Sequence, residues 1–166
     1  MTKKFYVTTA IDYVNAKPHI GHAFEKVLAD AIVRWKKLQG EKVFFLTGTD
    51  ENAQKNAQAA EKEKIPAKKF VDKNSKLFVD LCKRLNVNYD DFIRTTEERH
   101  IKTAQKIFQK VYDKGEIYKG KYEGYYCTGC EAFITEKDLV DGKCPEHNKE
   151  PEWFSEEAYF FKLSKY

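Results

Sequence analysis

Two groups of residues in this 166-residue sequence carry side chains that can do chemistry. The first is Pro18-His19-Ile20-Gly21-His22, preceded by Tyr13-Val14-Asn15. Two histidines three apart at a helix start project from the same side and can donate hydrogen bonds to a phosphoryl group as its negative charge develops. Gly21 between them removes a side chain, so that a flat base or sugar can come close. The second group is Cys127-Thr128-Gly129-Cys130, then thirteen intervening residues, then Cys144-Pro145-Glu146-His147. Three thiolates and an imidazole on two short turns suit tetrahedral zinc, and a closed four-ligand site of this type is structural, with no position left for water or substrate. Iron is the competing ion for a thiolate-rich set, and the histidine favours zinc. The fourth cysteine, Cys82, shares the helical periodicity of Leu81 and Leu85 and reads as a buried apolar residue without chemistry.

The elements around the histidines must place them at a phosphate. Phe5 to Thr9 reads as a short buried strand, followed by a polar loop through Asn15, Lys17 and Pro18. Ala23, Val27, Leu28, Ala31, Ile32, Trp35 and Leu38 then recur as one face of an amphipathic helix that Gly40 ends. Val43 to Leu46 makes a second buried strand. Strand, helix and strand of this length form a βαβ unit with parallel strands and a right-handed crossover, the opening of a doubly wound sheet. In such a sheet ligands sit beyond the carboxyl ends of the strands, where the following helix offers unpaired N–H groups and the positive end of its dipole. Downstream, Phe70 to Leu85 and Ile101 to Val111 mark two more helices. Thr95 and Glu98 have the spacing of a capping box for the second, and Gly115 stands where a left-handed C-cap is expected. Asn86 to Ile93 is a connection or a short edge strand, and the Lys-rich stretch from Glu61 to Lys69 reads as a solvated helix start. Beyond Gly115 the texture changes to tyrosines, glycines and cysteines, which places a domain boundary there: 1–115 and 116–166.

The bulk properties narrow the class. A composition that is 42% hydrophobic and 34% charged is globular, and no apolar run approaches the length that spans a bilayer. The start lacks the apolar stretch of a secretory signal, so a cytoplasmic location is expected. A formal charge of +4 permits an RNA partner without announcing one. Neither a membrane nor DNA is expected as a partner.

Ala10-Ile-Asp-Tyr-Val-Asn-Ala-Lys-Pro-His-Ile-Gly-His-Ala23, followed by Phe44-Phe-Leu-Thr-Gly-Thr-Asp-Glu51, resembles the class I aminoacyl-tRNA synthetases and is similar to methionyl-tRNA synthetases in particular. The resemblance implies the first half of a Rossmann-like, doubly wound parallel α/β nucleotide-binding fold with a small zinc-knuckle insertion, the latter resembled by Tyr122 to Tyr166. It implies an ATP-dependent ligase that activates methionine to methionyl-adenylate, with Mg2+ as the counter-ion of ATP, and transfers it to tRNA(Met). His19 and His22 would stabilise the α-phosphate, with Gly21 beside the nucleotide. Ala10, Ile11 and Tyr13 would line the methionine pocket, and Asp50 would receive the substrate ammonium. Cys127, Cys130, Cys144 and His147 would hold one structural Zn2+.

Two departures from that family pattern stand out. Asn52-Ala53 replaces the usual His-Gly, which predicts an altered loop because alanine cannot copy a glycine held at positive φ. Ala10 and Asp12 stand where Pro or Tyr is usual. The family's Lys-Met-Ser-Lys-Ser signature is absent from these residues, so the chain is expected to be a truncated portion, not competent alone and with exposed sheet edge and apolar surface. The rival readings are a non-catalytic zinc-binding paralogue and a nucleic-acid- or protein-binding module.

Overall fold

The structure is a computed structural model that describes residues 3–130 and 132–166. The chain divides into two compact units, Met1–Ala104 and Gln105–Tyr166. The domain boundary expected at 115/116 lies inside the second of these units.

In the first unit, β1 (Lys4–Tyr13), α1 (Ile20–Leu38), β2 (Lys42–Asp50), α2 (Gln54–Lys62), α3 (Ala67–Arg84) and β3 (Asp91–Arg94) lead into α4 (Glu98–Asp113). The sheet is parallel in the order β1-β2-β3. Right-handed crossovers that step in one direction put their helices on one face, and α1 and α3 share that face. Ala29 and Val33 of α1, Phe45 of β2, Cys82 of α3 and Val87 form one core cluster. Val14, Ala60, Phe70, Val71 and Phe78 form a second, beyond the carboxyl end of β1. Both β1 and β2 outrun the apolar runs that announce them, and α2 is a separate helix that ends at Lys62, with α3 starting after Pro66.

Two expectations are corrected here. The apolar stripe of α1 faces outward from this unit: Leu28 is 51% exposed and Trp35 55%, while Lys26, Ala29, Asp30 and Val33 are buried. The helix is apolar on two sides, and periodicity alone does not say which side meets the sheet. Thr95 does not cap α4, because its hydroxyl accepts the Glu51 N–H at 2.8 Å. Ala53 is the N-cap of α2 with φ −74°, an ordinary extended conformation. Gly115 has φ +70° at the end of α4, as expected of a left-handed C-cap.

The second unit is an antiparallel sheet in the order β5-β4-β6, built from β4 (Ile117–Cys127), β5 (Ala132–Ile134) and β6 (Glu152–Phe161). The β4–β6 register runs from Ile117↔Phe161 to Tyr126↔Glu152. Cross-strand ring pairs stabilise it, with Tyr118–Phe160 stacked at 5.6 Å and Tyr125–Trp153 edge-on at 5.1 Å. The last turns of α4 lie on β6, where Phe108 and Tyr112 both meet Tyr159 edge-on. Among the described residues no helix is long and apolar enough to cross a membrane.

Candidate functional site

The start of α1 is closed by its two histidines. His19 is the N-cap, and its Nδ1 accepts the Gly21 N–H at 3.1 Å. His22 is the third helical residue, and its Nδ1 accepts the His19 N–H at 3.0 Å. Such a reciprocal box is usually built from a hydroxyl and a carboxylate; here imidazoles do both tasks. The rings lie 3.8 Å apart, centroid to centroid. A Cβ at position 21 would come within 3.0 Å of His19 Cε1, so glycine is what lets that ring close over the helix end.

The tautomers follow from the caps. Each Nδ1 is an acceptor, so each neutral ring carries its proton on Nε2 and presents an Nε2–H donor. Partial burial, more than any other cause, pushes the His22 imidazole below its ordinary value. Asp12 opposes this, His19 and Lys26 add to it, and Glu25 opposes it. With their Nδ1 lone pairs engaged by the cap, both rings present Nε2–H donors at the positive end of a helix dipole, a setting suited to an anion.

A bulge in β1 shapes the neighbouring surface. Thr8 pairs with Leu46 but Ile11 with Gly48, so Thr9 and Ala10 together oppose Thr47. The inward set of side chains switches there: Phe5, Val7 and Thr9 are half-buried before the bulge, and Asp12 and Val14 are buried after it. Ile11 and Tyr13 thereby turn outward.

Asp50 is the last residue of β2 and the register partner of Tyr13, so the structure brings together two residues that the family resemblance implies share one pocket. Its backbone is pinned: Asn56 Nδ2 donates to the Asp50 carbonyl at 2.9 Å. Glu51, next in the chain, accepts from Arg94 Nε at 2.6 Å and Nη2 at 3.0 Å, from Thr49 at 2.9 Å, and from Thr96. Burial alone would raise the Glu51 carboxyl, but the bonds from Arg94, Thr96 and Thr49 hold it below the usual range. Asp50 does not cap α2, whose N-cap is Ala53.

Sequence reasoning missed the helix residues behind this surface. Lys26 is 1% exposed. Its ammonium meets Thr9 Oγ1, the Ala10 carbonyl and Glu25 Oε2, each at 3.1 Å, and lies 2.8 Å from Asp12 Oδ2. Glu25 Oε1 accepts the Ala10 N–H at 2.8 Å. The one available signal was the pairing of an aspartate at position 12, where the family resemblance fails, with a lysine one turn past His22.

In the second unit Cys127, Cys130, Cys144 and His147 form one cluster, their ligand atoms all within 4.8 Å of one another. Cys130 Sγ is 3.5 Å from Cys144 Sγ and 3.2 Å from His147 Nδ1, while the Cys127 and Cys144 sulfurs are 3.9 and 3.8 Å from that nitrogen. Ligands of a tetrahedral zinc ion lie about 3.5–3.8 Å apart, so the residues fit the ion. The thiols also compete for negative charge: hydrogen bonding to Cys144 and burial push Cys130 up to about 12, while a backbone N–H at Cys130 lowers Cys127. Such a set becomes fully ionised only against a cation. A Cβ on Gly129 would sit 2.5 Å from His147 Cδ2, so the glycine makes room for the His147 ring.

Comparison with known proteins agrees with this arrangement. The family model described as tRNA synthetases class I (M) matches residues 5–158. A methionine–tRNA ligase of Clostridium acetobutylicum is 55% identical over 164 residues, covering 99% of this chain and 26% of that relative. One from Caldanaerobacter subterraneus is 51% identical over the full chain, again 26% of the relative. A Mycobacterium tuberculosis methionyl-tRNA synthetase in complex with methionyl-adenylate superposes with a TM-score of 0.90 at 41% identity, covering 99% of this chain and 33% of that one. The chain thus spans about a quarter of the length of the curated relatives it matches. The paired histidine cap, the parallel sheet beneath it and a match that runs through nearly every residue lead to one conclusion: the chain belongs to the class I tRNA synthetases of the methionine family.

Proposed function

We propose that this chain supplies the methionine- and α-phosphate-binding part of a cytoplasmic methionine–tRNA ligase. The observation that supports the reading most is the reciprocal cap of His19 and His22, which leaves two Nε2–H donors at the head of α1. In this reading the methionine carboxylate attacks the α-phosphorus of ATP, the bond to pyrophosphate breaks, and the two donors meet the oxygen charge that grows between those events. No general base is required, because the nucleophile is already ionised. Asp50 faces the substrate ammonium, and Ala10, Ile11 and Tyr13, turned outward by the bulge, line its side chain. Mg2+ accompanies ATP, and transfer to tRNA(Met) follows. Gly21 keeps the cap closed beside the nucleotide.

Cys127, Cys130, Cys144 and His147 would hold one structural Zn2+, which supplies cross-linking of the two turns when bound and no chemistry at the phosphate. We place the end of the catalytic half at Gly115 and the zinc-bearing insertion in residues 116–166. A non-catalytic binding module would leave the double histidine cap without a task.

Methionine-dependent exchange of pyrophosphate into ATP, run on this chain and on the full product of its gene, tests the reading. Exchange by the full product and none by this chain is expected. Absence of exchange in both, with zinc bound and the fold intact, would overturn the reading in favour of a non-catalytic paralogue.

A further inference from the structure

Lys26 is a long cation in a place that periodicity assigns to a solvated side chain or a small apolar one, and its environment says why it is there. The β1 bulge turns the carbonyl of Ala10 and the hydroxyl of Thr9 away from the regular ladder, and the three ammonium donors of Lys26 go to those two groups and to Glu25. Glu25 in turn takes the Ala10 N–H. Both backbone polar groups of Ala10 are therefore answered by adjacent residues of α1. Asp12 Oδ2 has no hydrogen bond of its own and is held by the charge of Lys26 at 2.8 Å. The other carboxylate oxygen, Oδ1, faces His22 Nε2 at 3.9 Å.

We propose that Lys26, acting with Glu25 and Asp12, is a positioning unit of the adenylation site: it ties the bulge that presents Ala10 and Ile11 to the helix turn that carries His22. The inference rests on the functional reading above. Lys26 is 1% exposed, so its ammonium is shut off from solvent and ligands. It acts through the two surfaces it joins, so that the methionine pocket and the phosphate donors keep one relative geometry, as an adenylation requires of a carboxylate and a phosphorus that must meet in line.

The charges around His22 make the tie measurable. Asp12 faces the ring from β1, Glu25 and Lys26 from α1, and His19 from the helix cap. From α3 the ring meets uncharged Phe78 at 5.2 Å, and the Cys82 thiol, which senses Lys26 and Asp12, is pushed up by burial and stays protonated. Removing Lys26 frees Asp12 to act on His22 alone. Removing the Asp12 charge leaves Lys26 to act on it alone. The two variants displace the titration of His22 in opposite directions, which loss of packing does not do.

The test measures pyrophosphate exchange by the full gene product with wild type, Lys26→Met, Asp12→Asn and the double variant Asp12→Leu/Lys26→Met. Methionine, ATP and pH are each varied. Lys26→Met should raise the methionine KM about tenfold, the scale of losing charge-assisted hydrogen bonds, with the ATP KM within about twofold. Its acid limb should move to higher pH and that of Asp12→Asn to lower pH. The double variant strands no buried charge and guards against a folding failure; it should show the same loss for methionine. An unchanged methionine KM in the double variant, equal losses for both substrates, or acid limbs that move together would each overturn the tie. If the wild type shows no exchange, the functional reading fails. The tie is then decided by the NMR titration of His22 in the same proteins, where opposite shifts uphold it and no shift ends it.

Discussion

His19 and His22 hold each other in place, His22 Nδ1 accepting the backbone N–H of His19 at 3.0 Å while His19 Nδ1 accepts that of Gly21 at 3.1 Å. Both bonds require an unprotonated Nδ1, so the cap and the proton compete for the same lone pairs. Neutrality of these rings is therefore a structural condition as well as a chemical one.

A pH dependence follows. The folded-state pKa of His22 lies below its ordinary value of 6.5. The group therefore contributes stability that is present above pH 6.5 and lost as pH falls through the depressed folded value. Urea unfolding of wild type and His22→Asn between pH 8 and pH 5 checks this. The advantage of wild type should shrink as the pH is lowered, and an advantage that grows would contradict the neutral-cap assignment.

Much of this site was legible because short-range spacing carries it. His19-x-x-His22 at a strand-to-helix junction and the two cysteine turns are local patterns, and local patterns survive folding. That Tyr13 and Asp50 lie near one another at the carboxyl ends of neighbouring strands also follows from a βαβ unit with parallel strands. What was hidden depends on partners far along the chain. No glycine or proline marks the bulge at Thr9 and Ala10, so the switch that buries Asp12 could not be read from the strand. Lys26 looks solvated until the bulge supplies its oxygens. Thr95 has the spacing of a cap, yet a backbone N–H forty-four residues earlier claims its hydroxyl. The apolar stripe of α1 was visible, but a helix with two apolar sides does not reveal which one the sheet takes.

The support of the loop after Asp50 is testable through Arg94. The Glu51 side chain is fully buried and Arg94 grips it with two nitrogens. Arg94→Met leaves that carboxylate without its cation, a loss on the order of 3–5 kcal/mol. Glu51 has a folded pKa below its ordinary value of 4.5, so the stabilisation is present above that pH and lost as pH falls through the depressed value. Unfolding of wild type and variant followed by Trp35 fluorescence should show the full deficit at pH 7 and a smaller one near pH 4. A deficit independent of pH would point to lost packing instead.

The outward face of α1 makes a prediction about the isolated chain. Ile20, Phe24, Leu28, Trp35 and Leu38 are all more than half exposed, and β1 is an edge strand in the described sheet. Apolar stripes and open edges of this kind promote association. Sedimentation velocity should show mass that rises with concentration, and Phe24→Glu with Leu28→Lys should reduce it. A wild-type chain that stays monomeric at all concentrations would speak against a usable face.

The cysteine cluster yields the last prediction, which separates metal geometry from loop strain. Chelation should disorder the turns at 127–130 and 144–147, reported by Trp153, whose ring lies 5.1 Å from Tyr125. Trp35→Phe removes the other tryptophan, so that the signal is unambiguous. Gly129→Ala puts a Cβ 2.5 Å from His147 Cδ2 and must displace a ligand, at about 10–100-fold in zinc affinity, the range seen when the surroundings of a ligand are disturbed. Gly142→Ala serves as the contrast. Its φ of +74° makes alanine strained there, but nothing lies within 4 Å of the added carbon, so about 1 kcal/mol of stability should be lost with affinity unchanged. Competition against a zinc-binding dye distinguishes the two variants. Equal affinity losses in both would mean that His147 is not a ligand held in place by the open turn at Gly129.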